Sequence, residues 1–295
     1  MKSLLSLLTG ALLIAGCQST NNSHGSTPFP NLQEKPANTP QAKVKQQRQH
    51  LALNTRNKGF GPQAPRDIDD PVGENIEPFT FAPSSRKMNL CNIHFHKNAE
   101  HQGGEFRQFA GYGDGEGYGS GYRYTGILSA SERQPVAAPI CPSDHGALSV
   151  GDTIEVHYVY SGAKVKPGKT LGACLDGSMQ QPALRVEAQV YVLVNDAKAA
   201  NFTQLMQHRV IRGRHQAIRI PKNTGKPVVY AGSTTGPKYN EHASPYKVTW
   251  SVRPKVLKVN AKTVGQWCKG NVFHEKKAHG TRNLVQNPTL LSPIH

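Results

Sequence analysis

"NLCNIHFHKNAEHQGGEF", residues 89–106, carries the clearest strand signal in the chain and its densest chemistry. Its first eight residues alternate: Cys91, Ile93 and Phe95 fall on one face of an extended strand, and Asn92, His94 and His96 on the other. From Cys91 to Phe106 the run holds three histidines, two glutamates and a cysteine. A strand places residues i and i+2 on one face about 7 Å apart along the chain, so two imidazoles there can close on one metal ion. The plainer reading is two ordinary polar residues on an exposed strand. Phe95 between them and the apolar flanks argue for burial, and so for ligands.

Similar runs follow downstream: "DTIEVHYVYSG" (152–162), "LRVEAQVYVLVND" (184–196), "RVIRGRHQAIRIP" (209–221), "KPVVYAGS" (226–233) and "YKVTWSVRPKVLKV" (246–259). All are rich in β-branched residues and bounded by Gly, Pro, Asn or Asp. Only "DAKAANFTQLMQH" (196–208) has a helical look, and no internal repeat is visible. The expected fold class is mainly β (α+β), one domain with few short helices. "GYGDGEGYGSGYRY" (111–124) fits GxGxxG in no register and is followed by no Gly-Lys-Ser/Thr, so it reads as a glycine-rich surface loop rather than a phosphate cradle.

A tetrahedral zinc site with a reactive position needs a third protein ligand, most simply from another strand of the same sheet. "IEVHYVY" offers His157, with Glu155 and Val159 on its side. A metal-bound imidazole usually donates its second N–H to a carboxylate or carbonyl. Glu155 stands two residues before His157, and Asn92 two residues before His94. Three neutral imidazoles leave zinc its full charge, which brings the pKa of a bound water to about 7 and supplies hydroxide at neutral pH. Such a site also accepts cobalt or cadmium.

In order along the chain, "NIHFH", "EH", "IEVHYVY", "YAGSTTGP" and "VTW" resemble the carbonic anhydrases. "HFHKNAEHQGGE" is most similar to the delta class, known from marine diatoms and also found in bacteria. The order of the motifs also matches the alpha class, and the resemblance covers roughly residues 90–255. It implies a twisted, largely antiparallel central sheet, and zinc on His94, His96 and His157 with Asn92 and Glu155 behind them. It further implies that Thr234 or Thr235 accepts a hydrogen bond from zinc-bound hydroxide and passes its own proton to a carboxylate, for which Glu100 is the candidate. Val159 and Trp250 would line an apolar substrate pocket. The activity implied is reversible hydration of carbon dioxide to bicarbonate and a proton. No residue matches the alpha-class proton shuttle; on chemistry alone His101, His145 and His242 are candidates.

Two other readings compete. His94-x-His96-x3-Glu100 also fits the metal motif of cupins, although Arg107 stands where that pattern wants glycine. A non-catalytic zinc-binding envelope lipoprotein would use the same strands, but would need neither the Thr-Thr loop nor an apolar pocket.

The chain has 295 residues and opens "MKSLLSLLTGALLIAGCQST", a lysine and a short apolar run ending in a cysteine. Ile14-Ala15-Gly16-Cys17 resembles a bacterial lipobox. This implies a signal peptide over 1–16, a lipidated Cys17 and, with Gln18 following, an outer-membrane lipoprotein whose domain lies in the periplasm. Residues 17–75 read as a disordered tether rich in Asn, Gln, Pro, Ser and Thr, and 76–295 as the catalytic domain. Cys91, Cys141, Cys174 and Cys268 remain, with no CxxC pair. In an oxidising compartment they allow two disulfides in three connectivities. Cys91–Cys268 with Cys141–Cys174 is the expected pairing. The net charge of +16 and pI near 9.7 come from scattered Lys and Arg, which suits anionic envelope surfaces or small anions rather than nucleic acid. Oligomeric state is left open.

Overall fold

The computed structural model describes residues 39–177 and 181–295. The expected signal peptide and Cys17 lie outside the described residues. Among the described residues there are ten strands: β1 (Asn89–Lys97), β2 (Gln108–Tyr112), β3 (Ser120–Arg123), β4 (Thr153–Ser161), β5 (Leu184–Val194), β6 (His208–Ile211), β7 (Arg214–Ala217), β8 (Val228–Ser233), β9 (Lys247–Val252) and β10 (Leu257–Asn260). Helices are short apart from α1 (Gln41–Thr55); α2 is Phe202–Leu205 and α3 is Ala261–Cys268. The fold is mainly β, as expected. No helix among the described residues is long and apolar enough to cross a membrane.

The central sheet runs β1-β4-β5-β9-β8, with β10 also paired to β5. Pairs β1·β4, β4·β5 and β8·β9 are antiparallel, whereas β5·β9 and β5·β10 are parallel, so the sheet is mixed. The run 246–259 is two strands rather than one, because Pro254 has no N–H to offer the ladder. The glycine-rich stretch is likewise not all loop: β2 and β3 pair across it as a small hairpin.

Alternation gives the sheet two apolar faces. Ile93 and Phe95 of β1, Val156 and Tyr158 of β4, and Tyr191 of β5 pack on one side with Phe202 and Trp267. Val159, Val186, Ala188, Tyr230 and Trp250 pack on the other. Every residue of β4 is buried, so Glu155 and His157 must find their partners inside the protein.

Two expectations fail for one reason. A β-bulge between Leu90 and Asn92 breaks the alternation, so Cys91 leaves the face of Ile93 and Phe95 and joins the cluster of Val159 and Trp250. Cys141 and Cys268 lie in the cluster on the opposite face. The disulfides are therefore Cys91–Cys174 and Cys141–Cys268, not Cys91–Cys268 and Cys141–Cys174.

Residues 39–75, expected to belong to a disordered tether, are folded against the domain instead. Val44, Gln47, Leu51 and Thr55 make a buried stripe along α1. Leu51 packs on Val285, Leu290 and Leu291 near the C-terminus. The buried Arg66 donates to the carbonyls of Asp70, Val72 and Ser292. The few apolar residues of this polar segment suffice because distant chain covers them.

Candidate metal centre

In the antiparallel pair β1·β4, His94 stands directly opposite His157, and His96 opposite Glu155. The pleat points all three imidazoles to one face, and their ligand atoms lie within 4.8 Å of one another. Each ring has its other nitrogen engaged. His94 Nδ1 is 2.6 Å from Asn92 Oδ1, and the Asn92 amide is itself oriented by donating to Gly168 O at 2.9 Å. His157 Nε2 is 3.0 Å from Glu155 Oε1, and His96 Nδ1 is 3.0 Å from Gly280 O.

Those three acceptors fix the tautomers, since each outward nitrogen must carry the hydrogen. His94 Nε2 and His157 Nδ1 then face each other at 3.3 Å with lone pairs only. The inward His96 Nε2 is buried with no hydrogen-bond partner. A cation between them removes this repulsion. Tetrahedral Zn–N bonds of about 2.0–2.1 Å place neighbouring nitrogens about 3.3 Å apart, so the His94–His157 pair has the spacing of two ligands on such an ion. Burial, reinforced by the neighbouring imidazoles, holds the His94 pKa well below its usual range. Burial and then His279 pull His96 down to about 3. Burial also lowers His157, against the pull of Glu155. All three are thus neutral at pH 7, the form that ligates a metal.

Glu155 is fully buried and accepts four hydrogen bonds. Oε2 takes the backbone N–H of Glu100 at 2.7 Å and of His101 at 3.1 Å. Oε1 takes His101 Nδ1 at 2.6 Å besides His157. Burial alone would raise this carboxyl, but His101 and His157 outweigh it and hold it well below the usual range. Its oxygens are occupied, so the nearby group His101, Glu155 and His157 is a hydrogen-bond relay rather than a second metal site. His101 Nε2 accepts from the Tyr230 hydroxyl at 2.7 Å. Buried and engaged at both nitrogens, His101 cannot carry a proton to solvent. His242 is exposed and does not line the pocket; His145 stacks on Tyr118 instead.

Of the two threonines, Thr235 is the one whose side chain neighbours Glu100, a carboxylate whose Oε2 is buried with no hydrogen-bond partner, whereas the Thr234 hydroxyl meets Ser244. Glu100 also accepts the backbone N–H of Arg282 at 2.7 Å, and burial raises its pKa. A cupin-type site would place Glu100 on the metal. Here its nearest approach to His96 is 3.7 Å from Nδ1, the nitrogen turned outward. A pocket of about 470 Å³ opens over the three histidines, with Val159, Val186, Val248 and Trp250 among its apolar walls and Thr235 beside them. Trp250 is fixed by donating Nε1–H to Ser233 O at 2.9 Å.

The C-terminal segment supplies what the motifs did not reveal. His279 and Glu275, paired at 2.6 Å, line the pocket, and the His279 ring centroid lies 5.4 Å from that of His94. The His279 N–H donates to Phe95 O, and Lys97 N–H to His279 O, so this segment covers the free edge of β1. The one signal in the sequence was the recurrence of His and Glu in "HEKKAHG" (274–280).

A family model described as "Delta carbonic anhydrase" matches residues 85–263. No curated protein matches the chain. Among solved structures, a hyperthermostable carbonic anhydrase identified from an active hydrothermal vent chimney is 14% identical, covering 82% of this chain and 93% of its own at a TM-score of 0.28. The alpha-carbonic anhydrase from Thermovibrio ammonificans, in complex with sulfanilamide, is 13% identical, covering 79% and 87% at 0.28. The Photobacterium profundum alpha-carbonic anhydrase is 14% identical, covering 83% and 95% at 0.27. Likenesses this slight carry no argument.

Proposed function

Because the chain belongs to the delta carbonic anhydrase family, we propose that it hydrates carbon dioxide reversibly on a zinc ion held by His94, His96 and His157. The observation that carries the choice of ligands is the pair of lone pairs facing each other at 3.3 Å, on rings whose outward N–H groups are all engaged. Zinc there would supply a Lewis acid able to lower the pKa of water to about 7. Cobalt or cadmium would occupy the same nitrogens.

The protein's own groups do the rest. Asn92, Glu155 and Gly280 O hold the three rings in one tautomer and one orientation. With its hydroxyl hydrogen turned to the unpartnered Glu100 Oε2, Thr235 would offer only lone pairs to the pocket. It therefore accepts from a reacting oxygen and turns that oxygen's free lone pair towards the substrate carbon. Val159, Val186 and Trp250 form an apolar wall that suits a small uncharged molecule and gives bicarbonate no partner. Metal assay followed by stopped-flow carbon dioxide hydration tests this reading. Activity that disappears with a chelator and returns with zinc is expected. A folded, zinc-loaded protein without activity would leave a zinc-binding protein instead.

The leader over 1–16 and Cys17 support a lipid anchor, with the domain held in the periplasm at the outer membrane. Two disulfides suit that oxidising compartment. Labelling of cells with radioactive palmitate should mark the chain, and Cys17→Ser should abolish the label. A label retained in that variant would remove the anchor.

A further inference from the structure

The β6–β7 hairpin plays no part in the metal centre, and its composition is unlike an idle surface turn. Arg209-Val210-Ile211-Arg212-Gly213-Arg214 are all exposed, and Ile218 and Arg219 are exposed just beyond β7. Val210 is 58% exposed and Ile211 38%. Among the described residues, none of Arg209, Arg212, Arg214 and Arg219 pairs with a carboxylate. Three unpaired guanidinium groups, of Arg209, Arg212 and Arg214, therefore flank a small aliphatic tip, with that of Arg219 beyond the base, in a chain of net charge +16.

The hairpin is held firmly at its base. Gln216 is buried and donates to Met88 O at 2.7 Å and Ser85 O at 3.1 Å, and the His215 N–H donates to Asn89 Oδ1 at 3.2 Å. The His208 ring lies 5.4 Å from that of Phe273. At the tip, Arg212 and Gly213 have φ of 50° and 75°, as a tight two-residue hairpin turn requires. Strand pairing sets Ile211 opposite Arg214 and Val210 opposite His215. The tip is thus a rigid, two-stranded projection presenting charge and aliphatic surface together.

We propose that this tip docks on an anionic phospholipid surface, with its arginines on headgroup phosphates and Val210 and Ile211 entering between the headgroups. Guanidinium groups bind phosphate bidentately, which explains arginine rather than lysine at the tip positions 209, 212 and 214. Interleaved aliphatic side chains are what an interfacial site adds to charge. Single-stranded nucleic acid would instead call for aromatic stacking platforms, and the tip has none. The proposal is independent of zinc and of the lipid anchor.

The test puts a reporter at the tip of the full chain carrying Cys17→Ser, so that no lipid anchor contributes to vesicle binding. Trp250 and Trp267 are buried, so a Val210→Trp variant reports the tip locally. Its emission should be quenched by vesicles containing brominated phosphatidylglycerol and not by vesicles of brominated phosphatidylcholine. Adding Arg209→Ser, Arg212→Ser and Arg214→Ser should weaken the quenching interaction about a hundredfold, taking each basic residue at its usual worth near an anionic surface. Added salt should weaken it too. Unchanged thermal midpoint and zinc content would show that these variants fold. Absence of quenching with the anionic vesicles would overturn the proposal, as would equal quenching by both lipids or quenching that survives loss of the arginines. Binding to soluble polyphosphate without vesicle quenching would overturn it in favour of an acidic polymer.

Discussion

The metal centre has two halves built on different principles. One half lies on β1 and β4, where a two-residue period puts Asn92, His94, His96, Glu155 and His157 on one face. The other half comes from connecting chain: Thr235 after β8, Glu100 after β1, and Gly280 and Arg282 from the C-terminal segment. In the proposed centre the strand half would set which atoms ligate. The loop half sets how those ligands and the reacting groups are oriented. Losses of metal should therefore follow changes in the first half, and losses of turnover or small changes of affinity should follow the second.

The largest effect separates the halves outright. His157→Ala removes one of three inward nitrogens and should abolish most zinc binding, read as metal per chain after dialysis. Full retention of zinc would remove His157 from the ligand set. Next is the loop half: Thr235→Val should lower turnover about a hundredfold, the usual cost of one lost orienting group in an active site, with zinc content intact. Thr234→Val should leave turnover nearly unchanged, because its hydroxyl contacts Ser244. Equal losses for both threonines would show that the loop acts only as scaffold.

Glu155→Ala should weaken zinc affinity about 10–100-fold, measured by competition with a chromogenic chelator. It also strips acceptors from the backbone N–H groups of Glu100 and His101, so it should loosen the loop half as well. An unchanged affinity would reduce Glu155 to a structural role.

Acid should act on the strand half of the metal-free protein. His96 is neutral when folded, with a pKa about 3, while the unfolded chain titrates near 6.5. Below about 6.5 the unfolded state binds more protons, so stability is full above that pH and falls steadily as pH drops towards 3. At pH 5 His96 alone should cost about 2 kcal/mol relative to pH 7, visible as a lower urea midpoint. A midpoint flat from pH 7 to 5 would contradict the buried, neutral imidazole. Zinc should shift the loss to lower pH, since it binds the unprotonated rings.

The same division explains what could be read in advance. Ligands and their polar neighbours sit two residues apart on strands, and that period is written in the local sequence. The choice of Thr235 over Thr234 depends on the path of a loop. The support under His96 is a main-chain carbonyl at Gly280, which no side-chain pattern announces. The disulfides were misread because one bulge at Cys91 changes its face, and a bulge leaves no trace in an alternating pattern. The order of α1, within the expected tether, has no local signal because its cover comes from Val285, Leu290 and Leu291, more than two hundred residues away.

Gly280→Ala is the finest test of the comparison, because it changes the loop half through backbone alone. A Cβ at this position would lie 2.5 Å from Glu116 O and 3.0 Å from the Gly117 carbonyl carbon, both main-chain atoms. The segment must therefore shift, and its carbonyl moves with it off His96 Nδ1. His96 would keep its place on β1 but lose the acceptor that fixes its tautomer. Zinc affinity should fall by up to about tenfold, the low end for loss of such a partner, with the other two ligands undisturbed. Affinity unchanged in this variant, with the fold intact by its thermal midpoint, would mean that β1 alone positions His96. The strand half would then be a complete metal site without help from the loops.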